Sequence, residues 1–148
     1  MDTDTLRRDV RAFREALEAC HGDLDATIFG SFPRGCCGAA VELLAAFLER
    51  RGHSRFAYVC GLGVDVDGRH SSHAWLERDG LIVDVTRDQF GKDGEPVLVT
   101  TDSSWHDTEF PEQEEPRGFG ELPPGLCEAY ARIQEDLEST PGESTPGA

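Results

Sequence analysis

The sequence predicts an α+β fold in which amphipathic helices pack on a small antiparallel sheet. Three observations carry this. Apolar residues recur at helical spacing near both ends of the chain. Two strand-like runs meet at an Asp-Gly turn. Between them and the first helix, a wide-faced apolar helix begins beside a pair of cysteines.

At 148 residues the chain has room for one domain with one core, expected over residues 1–138. Its hydrophobic content of 38% and charged content of 29% suit a soluble globular protein. The longest apolar stretch, Ala39 to Leu48, is broken by Glu42 and is too short to span a bilayer. The acidic start Met1-Asp2-Thr3-Asp4 is unlike a signal peptide, so a cytoplasmic location is expected.

The net charge of −15 is concentrated in residues 61–148, where six Lys/Arg face twenty Asp/Glu. Such a surface repels phosphate, which argues against nucleic acid and anionic membranes as partners. Thirteen of the fourteen basic residues are arginine, a bias that suggests a GC-rich bacterial genome. The five cysteines (Cys20, Cys36, Cys37, Cys60, Cys127) form no CxxC pair and are expected to be reduced thiols. Neither a metal nor another cofactor is expected.

Leu6, Val10, Phe13, Leu17 and Cys20 line one face of a helix over residues 4–20, started by Thr3 or Asp4 and stopped at Gly22. Residues 21–35 read as a turn-rich connector. A second helix follows to Arg51, with Val41, Leu44 and Leu48 in one row and Gly52 as its stop. Phe56 to Cys60 reads as a strand, extending to Val66 if Gly61 and Gly63 permit. Residues 72–77 and 81–86 form a hairpin around Asp79-Gly80, and Val97 to Thr100 is a further strand. Residues 102–123 read as acidic and irregular. Leu126, Tyr130, Ile133 and Leu137 mark a closing helix over 124–138, and residues 139–148 read as a disordered tail.

Cys37 sits where the second helix begins. Orphan N–H groups and the helix dipole favour a thiolate there, lowering its pKa from about 8.5. The same N–H groups suit the oxyanion of an acyl-transfer intermediate. His73 and Asp84 lie on the two hairpin strands. A two-residue loop at Asp79-Gly80 sets Asp84 diagonally from His73 on one face; a four-residue loop sets them directly opposite; a three-residue loop separates them. The first two bring the backbones within roughly 5–8 Å. Asp84 also breaks the otherwise apolar run Leu81-Ile82-Val83-Asp84-Val85, and a charge at mid-strand needs a partner. Thiol, base and orienting carboxylate then follow as roles for Cys37, His73 and Asp84. Cys36, Trp75, Gln89 and Trp105 are the expected substrate-facing neighbours, with Trp75 walling the site against water.

These residues resemble a known family. Gly35-Cys36-Cys37-Gly38, with Val41 and Gly52 following, is similar to the nucleophile helix of transglutaminase-like proteins of the papain-fold superfamily. His73-Ala74-Trp75 and Asp84-Val85-Thr86 resemble that family's His-Ala-Trp and Asp-x-Thr motifs. The likeness covers residues 30–90. It implies a papain-like, transglutaminase-like core in which the thiol helix packs on an antiparallel sheet. It implies Cys37 as nucleophile, His73 as base and Asp84 as third member, acting on a peptide, protein or small-molecule amide or acyl substrate. The alternative is a non-catalytic module that keeps the fold and binds a peptide or partner protein in its cleft.

Overall fold

The structure is a computed structural model that describes residues 3–32, 37–53, 55–64, 67–90 and 95–139. The side chains of Cys37 and Ser139 are outside the described set. So are Cys36, expected beside the site, and residues 140–148, expected to be a tail.

The first helix, α1, spans Thr3–Cys20. Leu6, Val10, Phe13, Leu17 and Cys20 are all fully buried, as one apolar face requires. The connector read as turns holds a 3-10 turn at His21–Asp23 and one helical turn, α2, at Ala26–Phe29. Asp25 starts α2 by accepting from the Thr27 amide at 2.9 Å, a capping pattern short enough to be lost among breakers. The next helix, α3, spans Cys37–Arg50 and buries Ala40, Val41, Leu43, Leu44, Phe47 and Leu48. Gly52, at φ 88°, ends it in the left-handed region.

The sheet has five antiparallel strands in the order β4-β3-β2-β1-β5. They are β1 (Ala57–Val64), β2 (His70–Arg78), β3 (Leu81–Asp84), β4 (Leu98–Thr100) and β5 (Glu112–Gln113). Gly61 and Gly63 do not break β1. A Cβ on Gly61 would lie 2.7 Å from the Phe110 Cβ, and one on Gly63 would lie 1.9 Å from the Glu109 carbonyl oxygen. Both positions admit a close neighbour.

That neighbour is α4, Ser104–Glu109, inside the stretch read as irregular. Asp102 accepts from the Ser104 amide at 3.0 Å and helps to start it. The chain closes with a 3-10 turn at Pro124–Leu126 and α5 at Cys127–Ser139, which buries Ala129 and Ile133.

Side chains alternate across a strand, so the sheet has two chemically different faces. Ala74, Leu76 and Val83 join the main core under α1, α3 and α5. Val59, Trp75, Ile82 and Phe110 form a second, smaller core on the other face, with Trp105 packed against it. Among the described residues no helix is long and apolar enough to cross a membrane.

Candidate active site

Arg78 pairs with Leu81 and Leu76 with Val83, so the hairpin loop is the two-residue Asp79-Gly80 turn. Both loop residues have positive φ, 51° and 83°, as a type I′ turn demands. This is the diagonal register. His73 and Asp84 share the face of the smaller core, and the His73 Nε2–H donates to Asp84 Oδ2 at 2.7 Å. Neither side chain has exposed surface.

Strand β3 ends at Asp84 because the carboxylate turns the chain: its Oδ1 accepts from the Thr86 amide at 3.1 Å. The second carboxylate oxygen is thereby left to the histidines. Burial works to raise the Asp84 carboxyl. The facing His73 and the hydrogen bonds from His106 and His73 outweigh it and hold the group at about 2. Asp84 is therefore ionised at neutral pH. With its proton on Nε2, His73 keeps the Nδ1 lone pair on the opposite edge of the ring, where the Gln89 side-chain amide donates at 3.4 Å. In this tautomer Nδ1 is the basic nitrogen of the ring.

Of the expected substrate-facing residues, Gln89 touches the His73 ring directly. Trp105 lies half-buried, its ring edge-on to His73 at 6.1 Å between centroids. Trp75 has no exposed surface; its Nε1–H donates to Glu77 Oε2 at 2.8 Å. It forms a wall behind the site and presents nothing to a substrate. Phe90, 40% exposed and edge-on to His73 at 4.9 Å, covers the ring instead.

Cys37 is described by its backbone alone. Cys37 opens α3, which packs on the helical face, whereas His73 and Asp84 lie on the other. Asp84 closes β3 at one end of the sheet. Arg14 marks that end. Its guanidinium donates to the Val85 carbonyl and to both Asp88 oxygens at 2.8 Å, just beyond Asp84. It also lies 4.6 Å from the Phe32 ring centroid, in the chain leading to Cys37. One buried arginine thus joins Phe32 to the residues that follow Asp84.

A second histidine completes the cluster. His106, on α4, donates from Nε2 to the same Asp84 Oδ2, also at 2.7 Å. The signal for it was the Asp102-Ser103 start of α4, ahead of an aromatic-histidine pair. His73, Asp84 and His106 are also the one group of three metal-ligating side chains, among the described residues, whose donor atoms converge within 4.8 Å. The two N–O separations of 2.7 Å are hydrogen-bond lengths. Ligands each about 2.1 Å from a tetrahedral ion stand roughly 3.4 Å apart. The trio fits a hydrogen-bonded network.

No family model, curated protein or solved structure matches this chain. The site therefore stands on its geometry. A groove of about 980 Å³ between α3, residues 118–122 and α5 is lined by Glu42, Glu49, Arg50, His53, Phe119 and Tyr130 and holds none of the site residues.

Proposed function

We propose that the protein is a small transglutaminase-like thiol enzyme that transfers or hydrolyses an acyl group held in an amide or related bond. The observation that carries this reading is the buried hydrogen bond between His73 and an ionised Asp84. It fixes the imidazole tautomer, and α3 starts at Cys37.

In this mechanism Nδ1 of His73 takes the Cys37 proton, and Asp84 stabilises the imidazolium. The thiolate attacks the acyl carbon, and the first-turn N–H groups of α3 receive the oxyanion. Collapse of the tetrahedral adduct breaks the carbon–nitrogen bond, and His73 returns the proton to the departing amine. Water or a second amine then gives a proton to His73 and attacks the thioester, releasing the product and the thiol. Gln89, bonded to the base, is placed to help orient it or the substrate.

The test is iodoacetamide labelling across pH, with each cysteine followed by peptide mass. Cys37 is expected to label near neutral pH much faster than exposed Cys127, and to slow to an ordinary thiol rate in His73→Ala. Labelling of Cys37 no faster than Cys127 in the wild-type protein overturns the proposal and leaves the peptide-binding module.

A further inference from the structure

His106 is 1% exposed, sits on a different element from the other site residues, and spends its Nε2–H on the very oxygen that holds His73. The two rings are nearly parallel, 18° between planes and 6.1 Å between centroids, with the carboxylate between their Nε2 edges. Trp75 and Trp105 pack against the His106 ring at 4.6 and 4.8 Å between centroids. Among the described residues, its buried Nδ1 has no hydrogen-bond partner. A proton on Nδ1 would have no acceptor, so the surroundings select the Nε2–H form.

We propose that His106 is a positioning residue of the acyl-transfer site: as a second donor to Asp84 Oδ2, it fixes the carboxylate and limits how tightly that carboxylate holds the His73 imidazolium. The inference rests on the acyl-transfer reading and deepens it. A carboxylate oxygen shared between two N–H donors gives less of its charge to either one. With Thr86 on the other oxygen, Asp84 has no freedom to swing away, and His73 keeps one orientation through the cycle. The buried arrangement would otherwise grip the imidazolium so strongly that returning the proton to the leaving group would become harder. His106 offsets that grip without touching the reacting atoms.

Several charged or titratable groups among the described residues lie on the elements packed around His73. They are Asp84 on β3, His106 on α4, and Glu77 on β2, which is bonded to Trp75. From residues 87–90 there is Arg87, 4.6 Å over the Trp105 ring, while Asp88 is turned to Arg14. Asp107 on α4 is engaged by Ser103 and Gln113, away from the ring.

The experiment follows the His73 ring by NMR across pH in the full chain, with Cys37 labelling in parallel. In His106→Phe, which keeps the aromatic packing and removes the donor, the pH at which His73 loses its proton is expected to rise by about half a unit or more. His106→Gln, whose amide reaches the Nε2 position, is expected to return it toward the wild-type value. Should His106→Phe not fold, His106→Asn, too short to reach the carboxylate, serves in its place with the same expected rise. An unmoved His73 titration in a folded donor-less variant overturns the inference, as does a wild-type ¹⁵N spectrum with the His106 proton on Nδ1. The two readings fail separately. Slow wild-type Cys37 labelling defeats the enzyme, whereas fast labelling with an unmoved His73 titration defeats only the role of His106.

Discussion

Arg78 stands directly opposite Leu81 across a two-residue turn, and this pairing decides which side of the sheet Asp84 faces. The site therefore depends on two residues that never touch it, Asp79 and Gly80. Gly80 has φ 83°, where an L side chain is strained. Gly80→Ala is expected to lower unfolding stability by about 1 kcal/mol, measured by urea denaturation. Asp79→Asn, a residue that tolerates φ 51°, is expected to change it by less than about 0.5 kcal/mol. Equal effects would show that the turn does not control the hairpin.

Asp84 gives the fold a specific acid sensitivity. Its carboxyl in the folded protein, at about 2, lies below the ordinary 3.8. A lowered value stabilises the folded state at pH above the ordinary value, and that contribution is lost as pH falls through the folded one. Its size is on the order of 2 kcal/mol. The stability gap between wild type and Asp84→Asn is therefore expected to shrink as pH falls from about 4 to about 2. A gap that does not change over that window would mean that the histidines do not hold the carboxylate.

Gly63 lets α4 approach the sheet, and α4 carries His106. Because a Cβ there would lie 1.9 Å from the Glu109 carbonyl oxygen, backbone must move. Gly63→Ala is expected to cost about 2 kcal/mol or more and to disturb the His106 signals by NMR. Gly118→Ala, with no atom within 4 Å of the new Cβ, is the control and should cost little. A silent Gly63→Ala would show that α4 does not pack as described.

Arg14 is 4% exposed and joins α1 to Val85, Asp88 and Pro96 while covering Phe32. Removing it leaves a partly buried carboxylate and two carbonyls without their donor. Arg14→Met is expected to destabilise the fold by about 3 kcal/mol. Arg14→Lys is expected to recover little of this, since one ammonium cannot reproduce the planar fork. Denaturant titration of the two variants checks both statements, and full rescue by lysine would refute the second.

The helices were legible because their burial is periodic. The row Leu6, Val10, Phe13, Leu17, Cys20 became one fully buried face, since a 3.6-residue period has few other uses. The hairpin was legible because Asp-Gly permits two successive positive φ values. His106 and α4 were not. A six-residue helix has too few turns to set up a period, and its hold on Asp84 spans 22 residues of sequence with no local trace.

The sequence by itself determined the α+β class, the three long helices, the Asp79-Gly80 turn, and the pairing of one histidine with one acid on the next strand of the hairpin. Those are properties of neighbours, set by backbone preference and by the need of a charge in an apolar strand for a partner. Only the tertiary structure decided that Asp84 serves two histidines, that Trp75 is sealed behind the site, and that Arg14 gathers the segments flanking it. Such contacts join residues distant in the chain, where packing against a shared core, and no local rule, chooses the partner.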